Sequence, residues 1–183
     1  MLHLRIPERD LWDPVNERFI HVEATAIDLE HSLASVSKWE SKWHIPFHDD
    51  RKEKTYDQNI AYIRCMCLTE NVDPNTFYCI TEQNVKEITD YISDSNTATW
   101  FNESARRKTG KKEIITAEII YYWMTLYGVP LSCEHWHLNK LMTFLRVCAE
   151  KNNPDKKKTK GVDMAAQRRA LNAARRQKYK TRG

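Results

Sequence analysis

Leu2, Leu4 and Ile6 alternate with polar residues, the period of a half-buried strand, and a second apolar patch, Phe19, Ile20 and Val22, follows the turn-like Trp12-Asp13-Pro14. The pair predicts a short two-stranded ribbon, which needs a helix to lie on. Leu29, Leu33, Val36, Trp39 and Trp43 supply one: their spacing puts them on a single helical face that Pro46 ends. Thr55 is placed to cap a second helix with the stripe Tyr56, Ile60, Ile63 and Cys67. Asp73 and Pro74 begin a short helical turn through Tyr78, and Thr81 caps a third helix with Val85, Ile88 and Ile92 inward. Residues 114–127 are apolar on nearly every side and end at Gly128 and Pro130, so that helix is expected at the centre of the bundle. Ser132 is expected to cap the last body helix, with Leu138, Leu141, Leu145 and Cys148 buried and Glu134 near its N-terminus.

Charge divides the chain more sharply than hydropathy does. Residues 151–183 carry 12 basic and 2 acidic side chains, a net +10, whereas the first 150 carry 17 and 23, a net −6. A mildly acidic body thus bears a basic arm. The expected organisation is a helical domain with an N-terminal ribbon over residues 1–153, then a basic linker and helical arm over 154–183. The fold class is mainly α: a compact helical bundle with a short N-terminal β-ribbon and a detached basic C-terminal helix, since Met164 and Leu171 give that helix little to bury. A second basic stretch, residues 106–112, reads as an exposed loop.

The five cysteines, Cys65, Cys67, Cys79, Cys133 and Cys148, are odd in number and sit mainly in apolar runs, which suits free thiols in a reducing compartment. The first residues lack an apolar stretch of signal-peptide length, and no run approaches a membrane span, so a soluble cytoplasmic protein is expected. Cys133-x-His135-x-His137 is the most suggestive set of ligands. Residues two apart on a helix point to nearly opposite sides, and neither this set nor Cys65, Cys67 and Cys79 has zinc-knuckle spacing, so neither a metal nor a cofactor is expected. His135-Trp136-His137-Leu138-Asn139 lacks the hairpin and cysteine pairs that support a His-Asn-His nuclease. Lys108-Thr109-Gly110-Lys111 has Ala105 and Lys112 where a phosphate loop needs glycine and a hydroxyl residue. Asp90 and Asp94 lie one turn apart on what reads as a solvated face. These patterns favour binding over catalysis.

Six blocks carry a resemblance: Lys42-Trp43-His44-Ile45-Pro46-Phe47; Leu68-Thr69-Glu70-Asn71-Val72-Asp73-Pro74; Thr97-Ala98-Thr99-Trp100-Phe101; Ile115-Thr116-Ala117-Glu118-Ile119-Ile120-Tyr121-Tyr122-Trp123-Met124; Trp136-His137-Leu138-Asn139-Lys140-Leu141; and Ala170-Leu171-Asn172-Ala173-Ala174-Arg175. In this order they resemble the tail assembly chaperone family of long-tailed bacteriophages. The resemblance implies a non-enzymatic helper in virion morphogenesis. It would bind the tape measure protein and recruit tail tube protein in the host cytoplasm, and be absent from the mature virion. Such a helper should offer apolar grooves between its helices and act in many copies, with self-association adding avidity. Trp39, Trp43, Trp123 and Trp136 at helical positions read first as core or core-edge residues; the partner surface proposed beside that reading uses Trp39 and Trp43, left partly exposed, for apolar contact. The arm adds electrostatic contacts through Lys156, Lys157, Lys158, Lys160, Arg168, Arg169, Arg175 and Arg176. Two alternatives stay open: a structural head-tail or tail component, and a nucleic-acid-binding protein acting through its basic tail, for which the lone Tyr179 offers no stacking platform.

Overall fold

The computed structural model describes residues 1–49, 51, 53–99, 101, 114–152 and 169. Strands β1 (Leu2–Ile6) and β4 (Thr25–Leu29) pair antiparallel, as do β2 (Arg9–Asp13) and β3 (Arg18–Val22). In both ladders the numbers of paired residues add to 31, from Leu2 opposite Leu29 to Asp13 opposite Arg18. The two sheets are therefore successive stretches of one long hairpin, interrupted at Pro7, which has no N–H to give to a ladder. At the tip, Asp13 Oδ1 accepts the amides of Val15 and Asn16, and Glu17 takes a left-handed conformation. Leu4, Ile6, Ile27 and Leu29 are buried on one face of the base, whereas Trp12 and Phe19 form an exposed edge-to-face pair near the tip.

The mainly α expectation is corrected by these strands: the described residues combine helices with two small antiparallel sheets that occupy nearly all of the first 29 residues. The error began at Leu29. Thr25-Ala26-Ile27-Asp28-Leu29 alternates with period two, but Leu29 also lies four before Leu33 and so completed a helical stripe. The capping box of Ser32 with Ser35 starts the helix later, leaving Leu29 to β4.

Helix α1 (Leu33–Trp43) is the centre of the fold, with Leu33, Val36 and Trp39 buried and with segments Tyr56–Met66, Ala117–Leu126 and Leu131–His135 around it. It ends at His44, which is left-handed and whose N–H reaches Glu40 O. Helix α2 (Tyr56–Met66) is capped by Thr55 with Gln58, a 3-10 turn (Pro74–Cys79) by Asp73, and α3 (Glu82–Ser93) by Thr81 with Asn84, as the sequence leads one to expect. Each such cap contributes about 1 kcal/mol. Asn84 also donates to Arg5 O, tying α3 to β1. The stripes are partly corrected: Tyr56 and Val85 are exposed, and Cys67 follows α2 rather than lying in it.

Helix α4 (Ala117–Leu126) is not the central helix. Ala117, Ile120 and Met124 are buried against the fold, but Tyr122 is 62% and Leu126 58% exposed. Its missing side-chain cap is replaced by Glu40, whose Oε2 accepts the Ala117 amide at 2.8 Å while Oε1 accepts that of Phe47 at 2.6 Å. Gly128, at φ +67, closes the helix: its N–H reaches Thr125 O and that of Val129 reaches Met124 O. Ser132 lies in the second 3-10 turn (Leu131–His135), so it does not cap α5 (Leu138–Asn152). That position belongs to His137, whose Nδ1 accepts the Asn139 amide.

The chain divides into two compact units, Met1–Phe144 and Leu145–Gly183. Among the described residues, no helix is long and apolar enough to cross a membrane. The basic stretch 106–112 and the detached C-terminal helix lie outside the described residues, Arg169 excepted.

Candidate functional site

Trp39 is 1% exposed; its Nε1 donates to Gln58 O at 2.8 Å and its ring meets Phe47 edge-on. It is therefore a core residue, a correction to its expected place on the partner surface. Trp43, one turn on, is half-buried, and its Nε1 has no hydrogen-bond partner. Of the basic arm, Arg169 is helical and exposed; Lys156, Lys157, Lys158, Lys160, Arg168, Arg175 and Arg176 lie outside the described residues.

Two other regions concentrate the chemistry of the first unit. One is polar and sealed. His31 and His137 are buried with ring centroids 5.3 Å apart, and His31 Nδ1 lies 2.5 Å from the Tyr62 hydroxyl. Burial pushes the His31 imidazole down to about 3, with His137 and then His48 adding to it, so the ring is neutral at ordinary pH. Burial likewise pushes the Tyr62 phenol well above its usual range. His137 accepts at Nδ1 from the Asn139 amide and donates at Nε2 to Tyr91 O at 3.1 Å, which defines the Nε2–H tautomer. Tyr91 in turn donates to Glu30 Oε1 at 2.6 Å. This network joins the β4–α1 connection, α2, α3 and the start of α5 by bonding its buried and half-buried polar groups to one another.

The second region is apolar and open. Between α2 and α3 runs a groove of about 340 Å3 with Ile60, Ile63, Ile80, Ile88 and Ile92 along it and Tyr56 and Val85 beside them. Tyr56 is 62% and Val85 50% exposed. Asn59, Tyr62 and Thr89 complete its lining. The sequence shows these stripes, but it does not show that their outer members have no neighbour over them; an apolar residue at a helix's first turn, as with Tyr56, was the available signal. A further cavity has a mixed lining of Glu40, Ser41, His44, Ile45, Pro46, Thr116 and Glu118, and its Glu40 carboxylate is already bonded to two backbone amides.

The candidate metal ligands diverge. Cys133 is buried, His135 is exposed beside Glu134, and His137 is held by Tyr91 and Asn139. Cys65, Cys67, Cys79, Cys133 and Cys148 are all free thiols; burial pushes the first three above the usual thiol range, which disfavours the thiolate. Among the described residues, no three His, Cys, Asp or Glu side chains gather as a metal would require. The chain matches no known family model, no curated protein and no solved structure.

Proposed function

We propose that this protein is a non-enzymatic assembly chaperone of a long-tailed bacteriophage, binding the tape measure protein and tail tube subunits while the tail is built in the host cytoplasm. The resemblance of its sequence blocks supplies the biological setting. The observation that carries the reading is the apolar α2–α3 groove between two well-capped helices, with Tyr56 and Val85 exposed at it. A helper that covers a long, helical, aggregation-prone filament needs such a surface, because side chains of an amphipathic helix dock into apolar grooves between helices. His31 and the Tyr62 hydroxyl, both perturbed by burial, are engaged with each other.

The test is co-production of the chain with the tape measure protein of the same phage. The tape measure should become soluble and co-purify with the chain, and loss of the chain should leave heads without tails. A tape measure that stays insoluble, together with tails that form normally without the chain, overturns the proposal. Purified virions containing the chain at fixed stoichiometry would make it a structural component instead.

A further inference from the structure

We infer that strand β2 is a dimerisation edge, which pairs antiparallel with β2 of a second copy of this chain about a two-fold axis at Leu11. The inference concerns the chain alone and stands apart from the proposed chaperone function.

Three of the four strands are engaged beyond their ladders. Leu29 of β4 bridges Cys67, with the Leu68 amide donating to Asp28 O, and Asn84 Nδ2 of α3 donates to Arg5 O of β1. β3 lies against the first 3-10 turn, and its Val22 is buried. β2 is different: among the described residues no backbone hydrogen bond reaches it from outside its ladder with β3, and Arg9, Asp10 and Trp12 are exposed. About half of the N–H and C=O groups of an edge strand point away from its one neighbour, so this edge can accept another strand.

The sequence of β2 is complementary to its own reverse. With Leu11 opposite Leu11 of the second copy, Arg9 stands opposite Asp13 at two symmetric places, and Asp10 opposite Trp12. A two-fold axis keeps each face of the joint sheet to its own side, so the register can slip only by two residues. One slip sets Asp10 against Asp10; the other sends Asp10 to Pro14, which has no N–H to give. Self-pairing of β3 about Ile20 would set Arg18 against Val22 and bring no opposite charges together. The charges of β2 are available. Arg9 enters none of the ion pairs among the described residues. Asp13 accepts the Val15 and Asn16 amides at Oδ1 and the Asn16 side chain at Oδ2, which leaves a lone pair of Oδ2 for a guanidinium. The Asn16 side chain and then the Val15 amide hold its carboxyl below the usual range, and Arg18 across the hairpin adds to that without closing an ion pair. Arg9 and Asp13 thus match the reversed strand and penalise strands that lack their order of charge.

The test measures the mass of the full chain by sedimentation equilibrium over a range of concentrations. A five-residue edge buries little surface, so a weak, concentration-dependent dimer is expected. Arg9→Glu, at an exposed position, sets a like charge against Asp13 at both symmetric places and should weaken the dimer at least about tenfold, with unchanged thermal unfolding. Leu11→Cys reads the register. The two Leu11 positions face each other within reach of a disulfide in either kind of antiparallel pair, so this variant should form a cross-linked dimer on mild oxidation faster than the parent chain with its five thiols. Val15→Cys, at the hairpin tip and 86% exposed, should not, because the two tips lie at opposite ends of the joint sheet. A monomer at every concentration, association indifferent to Arg9→Glu, or cross-linking through Val15→Cys as fast as through Leu11→Cys overturns the inference. So does association abolished by Tyr56→Ser with Val85→Ser, which places the interface at the α2–α3 groove.

Discussion

On the side of α2 that meets α1, Tyr62 is buried with its hydroxyl against His31, and Ser35 and His137 stand nearby. Toward α3, the Tyr62 ring joins Ile60 and Ile63 in lining a groove whose exposed members are Tyr56 and Val85. The polar side is closed and the apolar side is open, the reverse of what composition alone suggests. Bonded polar groups therefore mark where this part of the molecule is held together, whereas the exposed apolar side chains Tyr56 and Val85 are where the proposed partner would dock.

Substitutions separate the two sides most strongly at the centre. Trp39→Ala removes a ring that is almost wholly buried, bonded to Gln58 O and packed on Phe47. It should cost about 3–5 kcal/mol, read as a fall in thermal and denaturant midpoints. A stable Trp39→Ala protein that had lost partner binding would return Trp39 to the surface role that its burial denies it.

Acid should loosen the closed side and spare the open one. The His31 ring titrates near 6.5 when unfolded and near 3 in the fold, where Tyr62, His137 and His48 face it. Above pH 6.5 neither state holds the proton and the difference vanishes. Below it the unfolded chain takes up a proton that the folded one refuses, so stability is lost progressively as pH falls toward 3. At pH 5 the loss is about 2 kcal/mol. His31→Gln should flatten that part of the stability–pH curve while Tyr56→Ser leaves it unchanged. An identical slope in the His31 variant would contradict the neutral, buried ring.

Tyr62→Phe tests the same side without a charge. It leaves His31 Nδ1 without its hydroxyl partner, at a cost of about 1.5 kcal/mol, measured by denaturant unfolding at pH 7.5. A neutral effect would mean that His31 finds another partner, with Ser35 the nearest hydroxyl in the network.

Local signals explain what the sequence discloses and what it hides. Thr55, Asp73 and Thr81 are legible as caps because the acceptor and the amide it serves are two or three residues apart. Glu40 is not legible as the acceptor for α4, since Ala117 lies 77 positions away. The apolar run of α4 predicts burial on all sides; the chain covers only the Ala117, Ile120 and Met124 side, and periodicity cannot say which side a fold leaves open. His137 looks like a metal or nuclease residue beside His135, yet it caps α5 and bonds Tyr91. The groove is half legible: the stripes of Ile60 and Ile63 and of Ile88 and Ile92 are plain, but their separation depends on how α2 and α3 pack.

The smallest effect on stability is the most informative for function. Val85 is half exposed on α3, so Val85→Ser gives up little buried surface and should change unfolding by less than about 0.5 kcal/mol. On the closed side of α2 a change of one hydroxyl is felt through a bonded network; at Val85, half of the side chain already meets solvent, so trimming it disturbs little packing. A larger loss of stability would mean that Val85 is covered in solution, and the two sides of α2 would then differ in polarity alone. An unchanged fold with weakened recovery of the tape measure protein is the outcome that separates a surface kept open for a partner from one that the fold merely failed to close.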